Sequence, residues 1–331
     1  MVACMIRFLG RRLVYYVVLV FLATSLTYFL ASATFSPRSV YAQRNPAPSA
    51  QVIDAKLDDI GVNDKTPIVI RYAHWLGDVA HGDLGQTIQD RSVNEQFFPR
   101  LGVSLRLLLV GSVAGIVLGV LVGVWNAIRQ YRISDRVSAA ISIILFSTPV
   151  FLTAVFLKIG ATKLNQDAGR QLINFTGEST PGLDGTPWTL LLDRGAHLLL
   201  PTISIAVGLI AIYSRYQRAT MLDVIGSDFL RTARAKGLTR GRATFKHGLR
   251  TALIPMTTLF AYGFLGILTG ATLTEKIFAW NGLGSWFIDA VNNNDVNVVT
   301  AYTLFAAVVV LVAGFLADVA TAALDPRVRR A

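Results

Sequence analysis

The chain has 331 residues, 53% of them hydrophobic and 15% charged, with a mean hydropathy of +0.51. An ordinary soluble domain carries about 25% charged residues, so composition excludes that class and points to an integral membrane protein. The single cysteine, Cys4, excludes an intrachain disulfide and a thiolate metal cluster.

In chain order the apolar runs predict an all-α membrane protein with six transmembrane helices. A cytoplasmic N-terminus, 1–12, leads into a first span at 13–33. An external loop, 34–106, carries helix-like apolar spacing at Ile68, Ile70, Trp75, Leu76 and Val79, which predicts a small folded or surface-lying element. The second span is 107–126 and the third 138–159, followed by an external loop rich in Gly, Thr, Asp and Pro at 160–195. The fourth span, 196–213, is the shortest. A cytoplasmic segment, 214–251, separates it from the fifth span at 252–273. An external segment, 274–300, a sixth span at 301–324 and a cytoplasmic tail at 325–331 complete the chain. Each run is about long enough to cross ~30 Å of hydrocarbon at ~1.5 Å per residue. The first is too long for the apolar core of a cleaved signal peptide.

The net charge of +11 would suggest nucleic acid in a soluble protein. Its placement says otherwise. Of 31 Lys and Arg, 18 fall in 1–12, 127–137, 214–251 and 325–331, joined there by only Asp135, Asp223, Asp228 and Asp325. Short basic loops stay inside, so both termini are expected in the cytoplasm. The basic balance reports topology, and no soluble domain exists to offer it to nucleic acid.

The second span carries Gly111, Gly115, Gly119 and Gly123, every fourth residue, and Gly266 and Gly270 repeat the spacing in the fifth. Such a stripe lets another helix approach closely. Static packing and a face that slides during transport both fit it. Arg106, Lys158 and Asp318 lie near span ends, where snorkelling or a wet interface accounts for them. The spans hold no central charge, which argues against an ion-coupled carrier with its own carboxylate relay and against a voltage sensor.

No HExxH, G-x-S-x-G or G-x-x-x-x-G-K-[ST] pattern occurs, and the four histidines lack metal-ligand spacing. Nothing therefore supports an enzyme, a metal site or an ATP site within this chain.

The segment 228–255, DFLRTARAKGLTRGRATFKHGLRTALIP, breaks the apolar pattern. Ser227 or Asp228 can cap a helix N-terminus. Phe229, Leu230 and Ala233 are expected to share a face, with Arg231, Arg234 and Lys236 crowded towards the C-terminal end. Gly237 supplies a left-handed stop, and Thr239 can cap a second helix. The basic residues could anchor the loop to anionic lipid headgroups. Alternatively, the small apolar face docks into a groove on a cytoplasmic partner.

Residues 228–255 closely resemble the coupling-helix region of ABC-importer permeases, in the oligopeptide/dipeptide/nickel branch. Arg231-Thr232-Ala233-Arg234-Ala235-Lys236-Gly237 matches that branch's form of the "EAA…G" motif, with Arg231 where the wider superfamily has Glu. The resemblance extends through Ile6 to Leu13, Arg71-Tyr72 to Asp78, Gly82 to Gly85, Glu275 to Trp280, Gly282 to Gly284, and Asp325 to Arg329. The N-terminal pattern and long first external loop favour the "B" permease over its "C" sibling. Ser36-Pro37-Arg38-Ser39-Val40 departs from the Pro-Gly-Asp-Pro-like turn common in relatives, which leaves the shape of that loop open.

The resemblance implies half of a translocation pathway for oligopeptides or dipeptides in a prokaryotic inner or plasma membrane. A second homologous permease would form the other half, two cytoplasmic ABC ATPase subunits would hold ATP and Mg, and an external solute-binding protein would deliver the peptide. Residues Asp228, Phe229, Leu230, Arg231, Ala233, Arg234 and Gly237 would couple to the ATPases, and the glycine stripes would line moving helix faces. No substrate-contacting residue can be named. Nickel or another small solute is the alternative within the family. A self-contained channel or carrier, or a membrane scaffold, is the alternative outside it.

Overall fold

The computed structural model describes residues 2–324. The surroundings of the side chains at 2–9, 11, 12, 258, 261–266, 269, 270, 322 and 323 fall outside that description, as does the expected tail at 325–331. The described residues contain no β-strand beyond an isolated Gln86–Ser92 bridge. The helices are α1 (Val2–Thr34), α2 (Pro37–Ala42), α3 (Ala50–Asp59), α4 (Ile68–Ala80), α5 (Val93–Ile128), α6 (Ile133–Ser147), α7 (Val150–Asp167) and α8 (Pro187–Ile225). They continue with α9 (Asp228–Ala235), α10 (Arg240–Ala243), a π-helical turn at Thr244–Gly248, α11 (Leu249–Ala252), α12 (Ile254–Ile277), α13 (Leu283–Asn292) and α14 (Val296–Leu324).

Among the described residues, four helices are long and apolar enough to cross a membrane: α1 over Leu13–Thr34, α5, α8, and α14 over Val296–Thr321. A further candidate is the α6–α7 pair, bent by 102°. The expected fifth span falls within α11 and the 24-residue α12.

Two expectations need correction. The third span, 138–159, is not one straight helix. Pro149 lacks an N–H, and its ring pushes the preceding residue out of the helical region. Thr148 is accordingly extended at φ −94°, ψ 118°, α6 ends at Ser147, and Pro149 becomes the N-cap of α7. The fourth span, 196–213, is only the middle of the 39-residue α8, which runs roughly 58 Å at 1.5 Å per residue. It therefore carries the membrane helix well into the segment expected as the loop 214–251. Thr186 caps its start by accepting from Thr189 N.

The chain divides into two compact units. One comprises Arg106–Trp280 with the chain from Val312 onward. Within it α8 is the central helix, packed on α6, α7 and α12. Lys158 of α7 donates to the carbonyl of Ile277 at 2.6 Å, covering the C-terminal end of α12. Buried Ser204 and Thr274 pair at 3.3 Å between α8 and α12.

The other unit comprises Ile6–Leu105 with Asn281–Leu311. Here the expected external loop is folded. Asn297 Nδ2 donates to the carbonyls of Ile60 (3.0 Å) and Gln86 (2.8 Å), and Tyr41 Oη donates to that of Ile88 (2.8 Å). Asp295 accepts from Ile88 N at 2.8 Å. Burial raises the Asp295 carboxyl above the ordinary range. On the surface, Arg38 forks onto Asp64 and reaches Asp54, which also takes Lys65. These bonds hold both carboxylates below their ordinary range.

Candidate coupling site and helix seam

The chain enters α9 through Ser227, extended at ψ 149°. Ser227 occupies the N-cap position, but its Oγ donates backwards to Val224 O at 2.6 Å and makes no cap bond. The helix ends as its sequence requires. Gly237 sits at φ +92°, Leu238 N donates to Ala233 O at 3.3 Å, and Gly237 N donates to Arg234 O at 3.0 Å. These paired bonds form a Schellman stop, which glycine adopts without the cost a Cβ brings. Thr239 then caps α10 by accepting from Arg242 N.

The expected shared face of Phe229, Leu230 and Ala233 is corrected by the structure. Consecutive helical residues point about 100° apart. Leu230 turns inward and is 3% exposed, Ala233 is half-buried, and Phe229 points outward at 44% exposed. Leu230 belongs to the chain's own packing and is not free to meet a partner. Asp228, Phe229, Arg231 and Arg234 form the exposed surface. The Asp228–Arg231 contact is long, 3.4 Å, and solvent-exposed, so it adds little to stability.

Leu230, Met221 and Val224 converge on Gly248 in the π-helical turn, each about one van der Waals contact from where a Cβ would stand. Met221 is fully buried and packs with Val124 and Ala127 of α5 and Ala252 of α11. Gly248 thus stands between Leu230 of α9 and the Met221 cluster that joins the ends of α8, α5 and α11. One turn earlier on α8, Arg218 forks onto Asp135 in the first turn of α6, with Nε–Oδ1 2.6 Å and Nη2–Oδ2 2.7 Å. Asp135 is buried and also accepts from Tyr131 N at 3.0 Å. A bidentate pair of this kind fixes orientation as well as distance. Sequence reading missed it. Both residues counted as loop charges, and a partner 83 positions away leaves no local signal.

The four glycines of α5 all face α8. A Cβ at Gly111 would stand 3.1 Å from the Ile205 side chain. At Gly115 it would stand 2.9 Å from Ala206 Cα, at Gly119 2.8 Å from Tyr213 Cβ, and at Gly123 2.6 Å from Ser214 O. The stripe is therefore a closed seam within this chain, loosest at Gly111 and equally tight from Gly115, where Leu209 Cβ would also stand 2.7 Å away, to Gly123. Gln217 is buried beside Gly123, and neither amide atom has a hydrogen-bond partner among the described residues. Shape holds the seam at that point. The environments of Gly266 and Gly270 on α12 lie outside the described residues.

No group of three or more His, Cys, Asp or Glu that could hold a metal occurs among the described residues. The model of the family "Binding-protein-dependent transport system inner membrane component" matches residues 115–330, which take in most of the seam, the ion pair and α9. The chain belongs to that family. It is 53% identical over 325 residues to the oligopeptide transport system permease protein OppB of Mycobacterium tuberculosis, covering 98% of this chain and 99% of the relative. It is 34% identical to the oligopeptide transport system permease protein AppB of Bacillus subtilis, covering 82% and 83%. It is also 34% identical to the dipeptide transport system permease protein DppB of Escherichia coli, covering 80% and 81%. The resemblance read from 228–255 and the flanking motifs is borne out, and this permease is an inner-membrane component of a binding-protein-dependent transport system.

Proposed function

We propose that this permease forms half of the translocation pathway of an ATP-driven importer of oligopeptides or dipeptides. The observation that carries the reading is α9: a short helix, stopped by Gly237, presenting Phe229 and basic residues outward while buried Leu230 roots it against Gly248, which Met221 also approaches. The peptide substrate rests on the names of the three relatives. The partners are a second homologous permease, two cytoplasmic ABC ATPase subunits that bind ATP and Mg, and an external solute-binding protein. This chain catalyses no reaction itself.

In this account, ATP-driven closure of the ATPases moves α9. Leu230 passes the displacement to Met221 on α8, and the Arg218–Asp135 fork makes the start of α6 follow. Both solute and nucleotide then bias one two-state element, which is what coupling requires.

This reading takes six crossings, α1, α5, the bent α6–α7 pair, α8, α12 and α14, with both termini and α9 in the cytoplasm. The basic content of 127–137 and 214–251 supports that orientation. Cysteines placed singly at Arg240, Asp59 and Arg170, in a Cys4→Ser background, test it. Arg240→Cys should label only from the cytoplasmic side and the other two only from outside. Labelling of Arg170→Cys from the cytoplasm would make α6–α7 a re-entrant hairpin.

Co-expression and affinity purification test the class. Recovery of a second permease and ATPase subunits, with ATP hydrolysis stimulated by peptide-loaded binding protein, is the expected result. A chain that purifies alone and moves peptide without ATP would overturn the assignment.

A further inference from the structure

We propose that α4 is an in-plane membrane helix whose outer flank contacts phospholipid acyl chains beside α1. Arg12 is the last charge before the apolar stretch of α1, and ~30 Å of hydrocarbon spans about 20 residues at 1.5 Å each. The far boundary of the hydrocarbon then lies about residue 32, which puts Ser25 roughly 10 Å inside it.

Yet α4 is fastened at that level. Tyr72 Oη lies 2.6 Å from Ser25 Oγ, which itself donates to Phe21 O at 2.6 Å. Tyr72 also packs on Phe29 at 4.7 Å between ring centroids, and Tyr28 packs on Trp75 at 5.0 Å. Tyr28 and Trp75 are buried. A helix held to residues 25–29 of α1 by one hydrogen bond and a four-ring cluster cannot lie clear of the bilayer surface.

The rest of α4 suits that position. Val69 is 65% and Ile70 48% exposed, and Ala73, Gly77 and Ala80 are exposed with them. This side carries no charge. On α1, Leu22, Leu26 and Leu30 are likewise exposed. The charged residues of α4 are Arg71 and Asp78. Arg71 folds away from the exposed apolar side, donating to the carbonyls of Thr66 at 3.1 Å and Val62 at 3.2 Å in the segment that precedes the helix. One side against α1, one polar flank and one uncharged apolar flank is the pattern of an interfacial helix. Lipid is the occupant because the surface is uncharged, lies at the depth set by α1 and belongs to a helix fastened to a membrane span.

The test places a nitroxide at Val69→Cys and Ile70→Cys, in a Cys4→Ser background, on the chain purified with its partners in phospholipid nanodiscs. Collisions with oxygen should exceed those with a water-soluble nickel chelate several-fold at 69 and 70, and the order should reverse at Asp59→Cys. Chelate-dominated collisions at 69 and 70 would overturn the proposal. So would low collision rates with both probes, which would mean that protein covers the flank. If labelling impairs assembly, Val69→Trp gives a second readout. Phospholipid brominated near the carbonyl end of its acyl chains should quench it beyond the parent chain, and equal quenching would refute the proposal.

Discussion

The α5–α8 seam and the α9 helix were both marked out by glycine, and they use it in opposite ways. In the seam, four glycines remove side chains so that two long helices meet, in places at backbone contact. At Gly237 no atom stands within 4 Å of where a Cβ would be, and glycine is needed only for its φ of +92°. The seam is finished inside the chain, whereas α9 is rooted by one leucine and otherwise turned outward. The proposed coupling role uses both: a stiff body that moves as a whole and a handle that is not used up by the body's own packing.

The comparison can be broken by substitutions that should damage one region and spare the other. The largest effect is expected at the foot of the seam. Asp135→Ala removes the partner of Arg218, whose side chain is 29% exposed, and should cost about 3 kcal/mol, the upper end for hydrogen bonds to charged groups, read as a lower thermal midpoint of the purified subunit. The charge-reversed double variant Asp135→Arg with Arg218→Asp should recover part of the loss. A wild-type midpoint for Asp135→Ala would remove the fork from the account.

Next come the stripe glycines. Gly123→Ala and Gly115→Ala meet backbone and should cost up to about 3 kcal/mol. Gly111→Ala meets only the Ile205 side chain and should cost less, while a Cβ at Gly208 finds Val150 at an ordinary 3.6 Å and should be nearly neutral. Equal effects at all four would mean that close approach of α5 to α8 does not set the cost.

The pair on α9 sharpens the contrast. Leu230→Ala should cost about 2 kcal/mol, as a buried leucine does. Phe229→Asp should leave stability within about 0.5 kcal/mol, like other exposed changes, yet abolish uptake and reduce ATPase co-purification. If the stability losses were reversed, the inward and outward assignments of these neighbours would be wrong.

The smallest effect concerns pH at the folded element within 34–106. Asp54 and Asp64 are held below their ordinary pKa of 3.8. Their contribution is therefore complete above about pH 5 and lost as pH falls through the folded values. Asp295, shifted upward by burial, works in the opposite sense and relaxes on protonation. Thermal midpoints measured down to pH 3 should fall for the wild type and fall less for Asp54→Asn with Asp64→Asn. An identical slope in the double variant would show that the network is not stabilising.

Much of this was legible where the signal is local. The stripe at every fourth residue, the Gly237 stop, the Thr239 cap and the apolar period that becomes α4 all lie within one or two helical turns. The rest was hidden by distance or by averaging. Asp135 and Arg218 look like ordinary loop charges until α6 and α8 are side by side. Pro149 stood in plain view, but an apolar run judged by its length passes over a bend. Phe229 and Leu230 look like one apolar pair in sequence, and only the packing of Met221 and Gly248 decides which turns inward.

The most direct measurement is peptide uptake into proteoliposomes holding this permease with its ATPases and a sibling permease, comparing wild type with Phe229→Asp. The account predicts ATP-dependent uptake by the wild type and none by the variant, with the variant's thermal midpoint unchanged. Uptake by Phe229→Asp at the wild-type rate, or wild-type uptake that needs no ATP, would contradict it.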